Sequence, residues 1–482
     1  MLPAATASAR GVLPIPEGLA LVPSYVGAPA TANPIDVPPV PQHPFMAPNG
    51  DSGIHDDGWQ TNSYTRPGPL GRDPKTISNF LAKDCGSIAF DSAGRIVATC
   101  IGLLTVDLYL MDPVSLKVLG RYGLPGRSFA SLLANPNVFQ GFGGGGYFYL
   151  DNHDRAVIGT NDKHVLVIAE NATADGFVLE HDYDLSGVLT DDETLNSALP
   201  DSNGLLWFVA KHNGVVGTLN LDTAAVHVTR LGVGAIGEIE NSFAVGMDGD
   251  VYIATNRELY RFDAGPDGSP TVTWHIAYAN SGLTKPGQVD DGTGTTPAIM
   301  PGGYVTITDN ADPMNVVVYR TAPDATQRQV CAVPVFEKGA SATENSLIVA
   351  GNSIIAENNY GYTGPQATSL GGKTKPGFAR VDVDADGTGC HLIWTNDSVS
   401  APTVVPKVSL ATGFVYAYTK TAALTDPWYW TALDFRTGRT VWKSLAGTGL
   451  GFNNNYAGLT LGPDGTAYLG TLGGIIATRD TS

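Results

Sequence analysis

Glu240 and Glu344 each stand inside the same short pattern. Ile239-Glu240-Asn241-Ser242 runs into an apolar stretch, and Thr343-Glu344-Asn345-Ser346 does the same 104 residues later. A carboxylate beside a carboxamide, repeated at a fixed interval, offers three kinds of chemistry. The two acids can share a hard cation, share a proton, or neutralise a basic partner, because like charges brought close cannot both stay ionised unaided. With several amide oxygens around them, calcium is the cation that would fit, since it takes six to eight oxygens in irregular geometry. A histidine, His55, heads His55-Asp56-Asp57 far upstream and is a candidate proton carrier.

The elements that must position these residues form a repeat. Strand-turn-strand blocks begin near Ser87, Tyr147, Asn196, Ser242, Thr296, Ser346, Lys407 and Tyr456, spaced 46 to 61 residues apart. Each is an apolar run, a tight turn rich in Gly, Asp or Asn, and a second run rich in Val, Ile and Tyr. No segment has a sustained 3.6-residue apolar period. A period of about 50 residues made of short strands predicts an all-β, eight-bladed β-propeller. The eighth block has room for only three strands, and Lys75 to Leu81 is placed to supply the missing outer one and close the ring. The predicted division is an extended, proline-rich N-terminal arm over 1–74 and the propeller over 75–482.

In such a ring the residues at the start of each innermost strand line one mouth of the central channel. The alignment places Glu240, Asn241, Glu344, Asn345 and Asn196 there, with Asp84, Lys407 and Asn453 to Asn455 at related points. Glu240, Asn241, Glu344, Asn345 and Asn196 are therefore the expected metal ligands, and Glu240, Glu344, His55 and Lys407 the expected proton-moving or charge-balancing groups. Structural use stays open beside this, with the two glutamates simply hydrogen-bonding the backbone of neighbouring blades. For His55 a solvated turn and a lid over the mouth are both open. A weaker metal candidate is Asp382-Val383-Asp384-Ala385-Asp386-Gly387. Its alternating carboxylates resemble a calcium loop, but Ile393 stands where a bidentate acid belongs, and Asp and Gly also make ordinary turns.

Ala432-Leu433-Asp434-Phe435-Arg436-Thr437-Gly438-Arg439-Thr440-Val441-Trp442 resembles the repeat of quinoprotein-like propellers, with looser copies at Val381 to Trp394 and Leu219 to Thr223. The resemblance implies an eight-bladed ring in which Thr-Gly turns between the outer strands and the Trp packs between blades. Within that superfamily, dehydrogenases that bind pyrroloquinoline quinone would bring an adjacent Cys-Cys pair over the cofactor. This chain has none, so that cofactor is not expected. The Glu/Asn set is similar in residue type to that of calcium-dependent propeller lactonases.

The chain carries a net charge of −18 with only 15% charged residues. No Lys/Arg cluster is present to neutralise phosphates, which excludes a nucleic-acid surface. No apolar run reaches the length of a membrane span. The nine histidines show no metal-ligand spacing. Asn171 and Asn396 stand in glycosylation acceptor patterns. Gly143 to Gly146 lacks the strand-to-helix setting of a phosphate loop. By simple hairpin register Cys85 falls opposite Cys100, provided no bulge intervenes. Cys331 and Cys390 start equivalent outer strands of successive blades, which diverge. An even count with a plausible bridge favours an oxidising compartment, periplasmic or secreted. Met1 to Ala32 is proline-punctuated and lacks a basic stretch, making it a poor signal peptide. The function expected is a non-redox hydrolase or lyase acting on a small polar molecule at the channel mouth with calcium assistance. The alternatives are a non-catalytic binding or scaffold propeller and a quinoprotein-type oxidoreductase.

Overall fold

Eight four-stranded antiparallel blades follow one another along the chain in a computed structural model that describes residues 11–126 and 146–482. Helix is confined, among the described residues, to three short 3₁₀ turns. Blade 1 consists of Asp84–Phe90, Ile96–Ile101, Val106–Met111 and Val118–Leu124, and each later blade repeats this up-and-down order. The ring closes as the sequence predicts. Lys75–Phe80 pairs antiparallel with Gly474–Arg479, from Lys75 opposite Arg479 to Phe80 opposite Gly474, and completes the last blade.

Blades hold together through apolar faces that every β-branched second strand presents to its neighbours. Trp207, Phe208 and Val209 of blade 3 and Trp428, Trp430 and Trp442 of blade 7 are fully buried in these seams. Tryptophan also bridges blades as the repeat resemblance implies. Trp394 of blade 6 donates from Nε1 to the carbonyl of Phe435 at 3.0 Å. Its ring lies on the blade 7 turn at Gly438, where φ is +69° and an added Cβ would come within 2.4 Å of the indole. Asp434 Oδ1 fixes that turn by accepting from the Thr437 amide and hydroxyl, both at 2.8 Å.

Both cysteine pairs are disulfides: Cys85–Cys100 and Cys331–Cys390. The first depends on the irregularity that simple register would not survive. Phe90 pairs with Ile96 rather than Arg95, one residue out, and a bulge between Cys85 and Ser87 restores Cys85 to Cys100. The second ties the outer strands Gln329–Pro334 and Cys390–Asn396 of blades 5 and 6.

The arm does not merely trail across the surface. Tyr25–Gly27 adds a strand outside blade 7, and Ser63–Tyr64 pairs parallel to its inner strand at Val408 and Ser409. Between these, residues 43–62 enter the axis of the disc from the face where inner strands end. Backbone bonds there reach blade after blade: Phe90 to Asp51, Leu150 to Ser52, Val245 to Gly58, Ile299 to Trp59 and Val349 to Thr61. The arm thus plugs one end of the channel and leaves the other mouth to the inner-strand starts. The glycine run over 143–145 lies outside the described residues. Asn396 is buried and donates to the Gly438 carbonyl at 2.7 Å, so that acceptor pattern presents no free amide.

Candidate functional site at the channel mouth

Antiparallel neighbours share a rim, so the mouth is lined by inner-strand starts and by the ends of second strands. The second strand of blade 3, Leu206–Ala210, delivers Lys211 to this rim. Asn196, at the start of the inner strand beside it, uses its side-chain amide to hold the next blade. Its Nδ2 donates to the carbonyls of Ile239, Glu240 and Asn241 at 3.2, 2.7 and 3.3 Å. Asn196 and the carbonyl of the buried Asn241 therefore fix the backbone that aims Glu240. One residue on, Ser197 Oγ and Ser242 Oγ meet at 2.7 Å and lock the two inner strands.

Glu240 Oε2 sits 2.5 Å from Lys211 Nζ, with the glutamate side chain 14% exposed and the lysine 31%. Glu344 approaches the same group from two blades away. Its Oε2 accepts from the Val289 amide at 3.2 Å, and Gly294, at φ +68°, lets this loop pass within contact of both Thr343 O and Glu344 Oε2. The loop also brings Asp290, whose Oδ1 caps the Gly292 amide at 2.9 Å and whose buried Oδ2 has no hydrogen-bond partner.

The electrostatics follow from crowding three acids about one lysine. Burial pushes the Glu240 carboxyl up to about 7; Lys211 opposes the shift and Asp290 adds to it. Burial, Asp290 and Glu240 push Glu344 well above the usual carboxylate range. Asp290 is raised by burial too. Lys211 loses to burial but gains more from Glu240, Asp290 and Glu238, and is held above its ordinary value. Glu344 and Asp290 thus hold their protons more tightly than ordinary carboxyls, and Glu240, at about 7, is poised between states near neutral pH beside the Lys211 ammonium.

Tyr147 lies within the field of the two glutamates. Burial raises its phenol, and the charges of Glu240 and Glu344 both raise it further. The ring of His55 lies 6.1 Å from that of Tyr147. His55 is part of the plug, not a lid at the mouth. Its Nδ1 meets Asn62 Oδ1 at 3.2 Å, and its Nε2 meets Thr296 Oγ1 at 3.3 Å and Ser346 Oγ at 3.4 Å. Burial, then Lys407, pulls its pKa down to about 3, so the ring stays neutral. A void of about 20 Å³ between His55, Tyr147, Ser197 and Ser242 has room for about one water.

Lys407 belongs to the plug as well. Its fully buried ammonium lies 3.2 Å from Asp56 Oδ2, donates to Asn62 Oδ1 at 2.6 Å, and donates to the Ile54 carbonyl. The basic partner of the glutamates is Lys211 instead, because inner-strand residue Lys407 points inward at a depth the arm already occupies. Asn345 donates from Nδ2 to both oxygens of the buried Glu357, at 3.3 and 3.2 Å. Asp84 accepts from Asn455 Nδ2 at 2.8 Å. Asn453 and Asn455 receive the Tyr362 hydroxyl at 3.2 and 2.9 Å, and Asn454 that of Thr403 at 3.2 Å.

The three acids of the other candidate part company. Asp382 pairs with Arg380 at 2.6 Å, Asp384 with His391 at 2.6 Å, and Asp386 takes the Thr388 hydroxyl at 2.7 Å. These are the bonds of an ordinary outer hairpin. Among the described residues no three His, Cys, Asp or Glu side chains lie close enough together to hold a metal ion. At the mouth the Lys211 ammonium occupies the oxygen of Glu240 that a cation would take. The donor set as it stands does not fit calcium.

No protein-family model matches the chain. An uncharacterized protein of Archaeoglobus fulgidus is 28% identical over 266 residues, a stretch covering 49% of this chain and 51% of that protein. The match therefore spans about half the length of the archaeal relative. Among solved structures, the chain is similar to a streptogramin B lyase at 10% identity, with 83% of this chain and 94% of that one covered and a TM-score of 0.42. It is similar to the virginiamycin B lyase of Staphylococcus aureus at 9% identity, covering 84% and 99%, TM-score 0.43. A putative 6-phosphogluconolactonase of Bacteroides fragilis gives 10% identity, 76% and 95% coverage, and 0.43. Likeness at this level bears on none of the chemistry at the mouth.

Proposed function

We propose that the chain is a non-redox hydrolase or lyase that uses Glu240, Glu344 and Lys211 on a small polar molecule at the mouth of the channel. The observation that carries this is the acid pair itself. Glu344, its carboxyl raised well above the usual range, serves as general acid, and Glu240, titrating near 7, as general base, each within the field of the other. Glu240 takes a proton from water or from an activated carbon, and Glu344 returns one to the departing group. Lys211 stabilises negative charge as it develops on a carbonyl oxygen. Tyr147 lies within the field of both acids.

The oxidising compartment proposed for the chain, periplasmic or extracellular, is supported by its two disulfides. The quinoprotein resemblance is supported by the Asp434 to Trp442 turn alone and adds no redox step.

The test is turnover of a panel of lactones, esters and polar molecules with an acidic C–H. Glu240→Gln and Glu344→Gln are each expected to lower turnover by about 10²-fold or more, and a chelator to leave it unchanged. Undiminished turnover in both variants would place the chemistry on other residues, no turnover by the wild type would favour the scaffold reading, and loss with chelator the calcium one.

A further inference from the structure

We infer that the face of the disc opposite the mouth carries a second small-molecule site, a pocket for a neutral single-ring compound beneath the proline strap Val37 to Pro41. A cavity of about 190 Å³ lies there between the strap, Trp59 and Thr61 of the plug, and Val349, Gly351 and Leu410 at the ends of inner strands. Its size exceeds the roughly 150 Å³ of an apolar cavity that takes up benzene. A packing fault of that size would ordinarily be closed by collapse of the chain around it, since lost contacts are costly.

Here the strap resists collapse. Pro38, Pro39 and Pro41 fix three of its five φ angles, and proline runs are stiff and extended. Both ends are bolted down. Upstream, the Asn33 and Ile35 amides donate to Thr412 and Leu410, each at 2.8 Å. Downstream, Asn49 Nδ2 donates to the Val40 carbonyl at 3.0 Å. The wall is therefore pre-organised, which lowers the cost of binding.

The lining also sets the ligand's charge. Asp57 is the one ionisable side chain among the described residues that line the cavity. Its two oxygens already accept from Thr61, from the amide at 3.2 Å and the hydroxyl at 2.5 Å. An anion would leave water for a wall that holds no basic group, and a cation for one whose single carboxyl is already bonded to Thr61. An uncharged ring meets prolines, valines and an indole.

The experiment uses the full chain and toluene, with benzoate and benzylammonium as charged rings of similar size. Saturation-transfer NMR should show toluene bound, with a concentration-dependent rise in Tm and the charged rings silent. Toluene should also change Trp59 emission, a response lost in Trp59→Phe. Val40→Trp, which fills the cavity, should abolish the transfer signal, whereas Glu344→Gln at the opposite face should retain it. No transfer to the wild type, equal transfer from the charged rings, or undiminished transfer in a natively folded Val40→Trp would overturn the proposal. If Val40→Trp does not fold, an emission response that persists in Trp59→Phe overturns it as well.

Discussion

Lys211 Nζ lies 2.5 Å from Glu240 Oε2, although the two residues come from different blades and neither inner-strand alignment nor sequence proximity joins them. The contact sets the charge of the whole mouth. Removing the lysine leaves the charges of Glu240 and Asp290 uncompensated. Lys211→Met should cost about 1–3 kcal/mol at pH 8, less than the roughly 3–5 kcal/mol of a fully buried pair because the lysine is partly exposed. Denaturant unfolding at pH 8 and pH 5 checks this. The loss should shrink at pH 5, where the acids protonate, and an equal loss at both values would speak against the charge assignment.

Glu344 makes the opposite prediction. Its folded-state pKa is raised above the ordinary 4.5. Its contribution is therefore favourable below about pH 4.5 and is lost as pH rises through the folded value. Glu344→Gln should raise Tm at pH 8 and leave it unchanged at pH 4, while turnover falls. A variant destabilised at pH 8 would mean that the carboxylate is a structural anchor and not a strained functional group.

The plug's own charge pair is fully buried on both sides, Lys407 with Asp56. Lys407→Met should destabilise by about 3–5 kcal/mol, because it strands the carboxyl of Asp56 among apolar atoms. The double variant Lys407→Met, Asp56→Asn should recover most of that, the asparagine still accepting from the Tyr64 hydroxyl that now bonds Asp56 at 2.5 Å. A single variant within about 1 kcal/mol of the wild type in denaturant unfolding would show that the arm is not held by this pair.

Thiol titration of the unreduced, denatured protein should find no free thiol, since both cysteine pairs are bonded. Loop lengths of 15 and 59 residues correspond to about 3 and about 4 kcal/mol of unfolded-state restriction. Cys331→Ser with Cys390→Ser should therefore lower stability at least as much as the matching change at Cys85 and Cys100. Four titratable thiols would remove the argument for an oxidising compartment.

What the sequence made legible follows from periodicity. The eight blades, the closing strand at Lys75–Phe80 and the shared position of Glu240 and Glu344 all come from one repeat, and repeat symmetry carries positions from blade to blade. Lys211 was within reach of the same logic. It ends a second strand, and in an up-and-down blade that end lies at the same mouth as the inner-strand start. Lys407 drew attention instead because the alignment tracked inner strands only. Asp290 was out of reach, since the long loop between Ala277 and Ala298 has no counterpart in the repeat. The course of the arm is equally hidden: many of its contacts with the channel wall are backbone bonds, such as Val245 to Gly58, which leave no side-chain pattern. Cys85 and Cys100 were paired by a register that is one residue out, and the bulge before Ser87 brings the pair back together.

The raised carboxyls of Glu240 and Glu344 at the mouth are most directly tested by ¹³C NMR of the glutamate side chains through a pH titration. Glu240→Gln and Glu344→Gln supply the assignments. The Glu240 carboxyl is expected to titrate near 7 and the Glu344 carboxyl well above the ordinary glutamate range. Both carboxyls titrating below about 5, in the ordinary range for glutamate, would contradict it and leave the mouth without its acid and its base.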